Sequence, residues 1–201
     1  LVADFAWIKA ISVSTRLSQP ADGLALIAWC RFVGDLDPQF VWAYMMGGLL
    51  GAVTVGTETY NAQEAAALLA TGMERVPGDH RLPVYLAFNQ LHLQGDAGAA
   101  GRTLMAGSRI PNAPPFMAAL ATRLLTQSDD FDSALDFART LATEGDPGER
   151  AFFERRALEI VRDRAVAEVQ AAVDRYRAQR GTLPATVLQL SFEGFLPEVP
   201  S

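Results

Sequence analysis

Proline cannot continue an α-helix, so its placement sets hard limits on where helices end. In this 201-residue chain, Pro38, Pro77, Pro111 and Pro147 each follow a helix-length apolar pattern, at spacings of 39, 34 and 36 residues. The clearest unit is PGDHRLPVYLAFNQLHLQGDAGAAGRTLMAGSRIP over 77–111, which holds two such patterns joined by Gln94-Gly95-Asp96. A period of about 34 residues with a turn in the middle is that of a helix–turn–helix repeat, in which neighbouring pairs stack to bury a shared core. Half of the residues are hydrophobic, enough to build one continuous array with a sizeable interior.

The flanking stretches read as imperfect copies of this unit. Residues 3–18 put Phe5, Trp7, Ile8, Ile11 and Leu17 near helical spacing, and a second helix follows Gln19-Pro20-Ala21-Asp22, with Asp22 as its cap, to about Val33. Residues 38–57 contain no charge. An uncharged run of this length can span a bilayer, and Gly47 with Gly51 forms a GxxxG pair. Its opening proline, its glycines and its β-branched end at Val53–Thr57 fit better with a buried helix running into a loop over 56–61. Asn61-Ala62-Gln63-Glu64 then has the outline of a capping box. Pro83 falls in the first turn of its helix, where a missing N–H costs little.

Residues 116–127 and 131–143 form a further pair around Ser128-Asp129-Asp130. Beyond Pro147 the composition shifts to Arg, Glu and Ala, and 148–180 reads as one long amphipathic helix or two end to end. Gly181 suits its C-terminal cap, and a short helix near 184–190 precedes Gly/Pro-rich coil. No segment carries a strong strand pattern. The expected division is a repeat array over 1–147 and a capping helix with a short tail over 148–201.

The totals narrow the chemistry. A net charge of −6 argues against nucleic-acid binding, which calls for a basic face. Cys30 is the only cysteine, so neither an internal disulfide nor a thiolate cluster is available, and its apolar run LALIAWCRFV reads as buried. His80 and His92 have no second ligand at i+3 or i+4, so no metal site is expected. No Gly-rich phosphate loop and no G-x-S-x-G elbow occurs. Asp129, Asp130 and Asp132 sit at a helix start, where the helix dipole accounts for them. Arg150 with Glu154 and Arg164 with Glu168 fit a solvated helix face. No cofactor and no catalytic residue is expected.

The proline register, the small residues and the turns together resemble the tetratricopeptide repeat (TPR) family over about 38–147, and more weakly over 1–37. Gly48, Ala87 and Thr122 fall where the family has a small residue in the first helix of a pair. Ala65, Ala100 and Ala134 fall early in the second, with Gly72 and Gly107 at its later small position. Gly95-Asp96 matches the inter-helix turn, and Tyr44 stands where an aromatic is favoured. The resemblance implies an all-α, TPR-like right-handed helical solenoid closed by the long C-terminal helix. It also implies a concave partner-binding groove lined by first helices: Trp42, Met45 and Leu49, then Tyr85, Asn89 and His92, then Phe116, Ala119 and Arg123. The C-terminal AAVDRYRAQRGTLPATVLQLSFEGFLPEVP resembles, more faintly, the pattern after the N-terminal helix of major pseudopilins.

These readings lead to the expectation of a non-catalytic protein–protein interaction scaffold or adaptor in a multi-subunit assembly, with no nucleic acid involved. A chain that starts at Leu1 directly in a helical pattern is expected to have lost an N-terminal segment, which leaves membrane attachment open. A membrane-associated or periplasmic location is therefore favoured over the cytoplasm, and a bacterial secretion or pilus-type apparatus is the first assembly to consider. Two alternatives stand beside this: a structural subunit held permanently in a larger complex, with the groove filled by the chain's own C-terminal helix, and an enzyme or regulatory subunit with a ligand pocket inside the superhelix.

Overall fold

The computed structural model describes residues 2–198. Among these the chain is mostly helical, as the sequence pattern predicts, and it divides into two compact units, Leu1–Ser128 and Asp129–Ser201. The expected division at 147/148 lies inside the second unit.

In the first unit the helices are α1 (Val2–Ser14), α2 (Pro20–Leu36), α3 (Val41–Leu50), α4 (Ala62–Arg75), α5 (Arg81–Phe88), α6 (Ala97–Gly107) and α7 (Phe116–Gln127). Each packs on its successor, and alternate helices also meet, α2 with α4 and α3 with α5. Small residues make the close crossings possible. A Cβ on Gly72 of α4 would lie 2.7 Å from the Tyr44 ring of α3, and one on Gly48 of α3 would run into Leu69 of α4. Ala65, Ala87, Ala100 and Thr122 are all buried. The core that results runs from Ala6 and Ala10 through Leu26, Cys30, Tyr44, Leu68 and Leu69 to Leu82 and Leu86. Burial pushes the Cys30 thiol up to about 12, which keeps it neutral and unreactive.

The one large polar group in this core is satisfied by its surroundings. The Tyr44 hydroxyl donates to the carbonyls of Pro38 (3.1 Å) and Gly34 (3.3 Å). Arg75 donates to the Gly34 carbonyl at 2.7 Å and to the Asp35 carboxylate at 2.8 Å, so α2, α3 and α4 are tied at one end. At the start of α2, Asp22 accepts the backbone N–H of Gln19 (2.9 Å) and Ser18 (3.1 Å).

Three expectations need correction here. The uncharged 38–57 run is not one helix running into a loop: ten of its residues form α3, and Val53–Val55 (β1) then pairs antiparallel with Glu58–Tyr60 (β2). Gly56 at φ +64° takes the first corner of the two-residue turn, the position that favours glycine in a hairpin. Among the described residues no helix is long and apolar enough to cross a membrane. Asn61 is not the head of a capping box. It adopts a left-handed φ of 63° and sends its Nδ2 back to the Pro20 carbonyl at 2.7 Å, which fastens the hairpin's end to the start of α2. The expected pair of 116–127 with 131–143 divides between the two units, with α7 packing on α6 in the first and α8 belonging to the second.

The second unit contains α8 (Phe131–Glu144), α9 (Arg150–Arg180) and α10 (Val187–Phe192). Asp130 caps α8, its carboxylate accepting the N–H of Ser133 at 3.4 Å, and α8 turns Ala134, Leu135, Phe137 and Ala138 inward and packs against α9. The 148–180 stretch is a single helix, and Gly181 at φ +71° ends it with its N–H on the Arg177 carbonyl. Beyond it the tail folds back as a small separate core of Ala172, Tyr176, Leu190 and Leu196. Gln189 donates to the Tyr176 hydroxyl at 2.7 Å, and Arg180 pairs with Glu193 at 3.0 Å. Arg164 pairs with Glu168 as the spacing predicts, but Arg150 donates instead to the Gly145 carbonyl at 3.1 Å.

Candidate functional site

The stretch with the clearest repeat register also helps to build an apolar recess in the first unit. Asp79 accepts the Arg81 N–H at 3.0 Å and clasps its guanidinium, which sets the entry to α5, and Pro83 follows in the first turn. Asp79 is held below the ordinary carboxylate value, chiefly by that guanidinium. At Asn89 the helix widens: Asn89–Leu93 is a π-helical turn, with the Gln94 N–H reaching back to the Asn89 carbonyl at 3.1 Å. The Asn89 side chain closes this wide turn by accepting from Gln94 Nε2 at 2.7 Å, while its own Nδ2 is buried without a hydrogen-bond partner. An unmet buried donor costs about 1–3 kcal/mol, and π-helical turns occur often at functional sites.

Gln90 accepts from Thr103 at 2.8 Å and so joins the wide turn to α6, which Asp96 caps through the Ala99 N–H at 2.8 Å. Gly101 brings α6 close to Leu125 of α7. Between α5, the π-turn, α6 and α7 lies a recess of about 130 Å³, lined chiefly by Val84, Phe88, His92, Leu104, Phe116 and Leu120. The Phe88 and His92 rings meet at 4.7 Å. Phe88 and Phe116 remain 45% and 51% exposed, although both are large apolar residues. The spacing explains the arrangement: Val84, Phe88 and His92 lie four apart on one helix, and Phe116, Leu120 and Leu124 lie four apart on the other.

Of the nine residues expected to line a groove, the structure brings His92 and Phe116 together in this recess. Trp42 is exposed, with the Arg81 guanidinium over its ring at 5.6 Å, so that it joins the same face as α5. Leu49 is exposed at the end of α3. Met45 and Asn89 are interior residues, 5% and 1% exposed, and are not available to a partner. Tyr85 is half-buried against the main core. Ala119 and Arg123 lie on α7 outside the lining. The residues missed include Val84, Phe88, Leu104 and Leu120. The four-residue spacing was the signal for three of them. Leu104 comes from a second helix, which the family's groove pattern does not include.

Two other hollows carry charged side chains in their linings. One lies at Asp129–Asp132 and Arg164, where Arg164 pairs with Asp132 at 2.8 Å. The other runs from Thr59–Glu64 to Gln94 and Asp96. Among the described residues no group of three or more His, Cys, Asp or Glu side chains is placed to hold a metal ion. Compared with known proteins, the chain matches no family model, no curated protein and no solved structure.

Proposed function

We propose that this chain is a non-catalytic interaction scaffold whose first unit is a TPR-like, right-handed stack of helix pairs, and that it holds a protein partner in the recess between α5, the π-turn, α6 and α7. The observation that carries this reading is the pair of exposed aromatics, Phe88 and Phe116, facing an apolar recess that no other described side chain fills. Apolar and aromatic side chains left open around a concavity are the usual anchors of protein contacts. The neighbourhood of first helices, α3 beside α5 with Arg81 over Trp42, supports the TPR-like stacking. So do the glycine and alanine crossings. The assembly served is a multi-subunit one, with membrane association and a secretion or pilus-type apparatus as the first setting to examine.

A second reading, a subunit held permanently in a larger complex, is favoured by one further observation. On α9, Leu158 and Val166 are 73% and 62% exposed, a degree of apolar exposure that a permanent neighbour would relieve.

Affinity purification from source cells, comparing the wild type with Phe88→Ser and Phe116→Ser, tests the first reading. Both side chains are about half exposed, and circular dichroism checks that the variants keep their helicity. Loss of a defined partner from both variants supports the recess. Retention of every partner by both variants overturns it, and retention combined with loss in Leu158→Ser favours the permanent subunit.

A further inference from the structure

The charge of the chain is distributed unevenly, and the segments that build the recess carry a basic excess. The chain as a whole has 23 carboxylates against 17 basic residues. Residues 80–128, which make α5, the π-turn, α6 and α7, contain four arginines and two histidines but a single carboxylate, Asp96. Asp96 is occupied as the cap of α6. The first helices α3, α5 and α7 and the π-turn contain no carboxylate at all. Arg81 is engaged by Asp79, but Arg123 is exposed and makes no hydrogen bond or ion pair among the described residues. It lies seven residues after Phe116 and three after Leu120, two turns and one turn along the same side of α7.

An apolar recess with the unpaired Arg123 beside it and no carboxylate on the helices that line it selects its occupant by charge as well as by shape. Resting on the reading of the recess as a partner-binding surface, we propose that its occupant is an acidic amphipathic helix of another protein. The apolar stripe of that helix seats against Phe88, Phe116 and Leu120, and its flanking carboxylates meet Arg123 and the exposed His92. Two lining helices with apolar residues four apart form the kind of groove that accepts a third helix through anchors at i, i+3, i+4 and i+7.

The test uses the full chain and three fluorescent peptides of about 18 residues that share one leucine stripe and carry Glu, Gln or Lys on the flanks. The Glu peptide is expected to bind tightest and the Lys peptide weakest, with the Glu advantage shrinking as salt rises from about 0.05 to about 0.5 M. Arg123→Ala is expected to weaken the Glu peptide roughly two- to five-fold and to leave the Gln peptide unchanged. Phe116→Ser and Phe88→Ser, with helicity checked by circular dichroism, are expected to lose both. If the Gln or Lys peptide binds as well as the Glu peptide and Phe116→Ser still abolishes binding, the acidic preference is overturned and the recess stands. If no peptide distinguishes wild type from Phe116→Ser, both are overturned. Tighter binding of a single-stranded oligonucleotide than of the Glu peptide also overturns the proposal.

Discussion

The two units solve the same problem, how to stabilise helices, by different means. In the first, helices cross closely because glycine and alanine stand at the contacts, and the polar groups that must enter the core are tied as the Tyr44–Gly34–Arg75 cluster. In the second, a single long helix buries little of its surface, with Phe153, Ile160, Ala172 and Tyr176 as its interior residues, and surrounds these with exposed ion pairs. Close packing leaves a rigid surface on which a recess can persist. A charged helix with few buried residues offers reach and solubility, and its ion pairs contribute little because water screens them. The recess therefore belongs to the unit whose helices cross closely rather than to the charge-rich one.

Overpacking the first unit gives the largest expected effect. Gly72→Val drives a side chain into the Tyr44 ring and is expected to cost about 3 kcal/mol in chemical denaturation, seen as early unfolding of the first unit. Leu190→Ala, in the small core of the second unit, is expected to cost about 2–3 kcal/mol locally. Hydrogen exchange should show amides of 186–196 losing protection while those of α2–α4 keep theirs. Loss of protection in both units would break the comparison. Tyr44→Phe removes one hydroxyl from a satisfied cluster and should cost about 1 kcal/mol.

Acid sharpens the same contrast. Asp22 is held below the ordinary 3.8 by the backbone N–H groups of Ser18 and Gln19. Asp79 is held low by Arg81, and Glu193 by Gln189 and then Arg180. A folded-state value below the unfolded one contributes stability that is full above the ordinary value and is lost as pH falls through the folded one. The melting temperature should therefore be level from pH 7 to about 5 and fall below about pH 4, with part of the fall removed in Asp79→Asn. The smallest effect belongs to the second unit's surface: Arg164→Ala, which ends pairs with Asp132 and Glu168, should leave the melting temperature unchanged.

Much of the helical order was legible because proline and glycine act locally. Pro38, Pro77 and Pro111 end helices whatever surrounds them, and Gly181 caps α9 as its position predicts. What escaped depended on partners distant in sequence or on small backbone changes. The VTVGTETY segment had β-branched residues and a two-residue Gly-Thr turn, yet its uncharged context read as a buried helix followed by a loop. The family's groove pattern grouped Asn89 with His92, whereas the π-turn that begins at Asn89 leaves Asn89 inside and His92 exposed. Met45 was misplaced for a simpler reason: α3 is apolar nearly all round, so its pattern does not say which face is buried. The expected pair of 116–127 with 131–143 falls into two units instead, α7 packing on α6 and α8 turning its apolar stripe to α9.

The proposed seat of the partner is the recess. A photo-crosslinking amino acid placed at Phe116, and in a second version of the chain at Leu158, tests it in source cells. The account predicts one dominant adduct from position 116, mapping to a single segment of one protein, with little from position 158. No adduct at 116, or the same adducts from both positions, would contradict it.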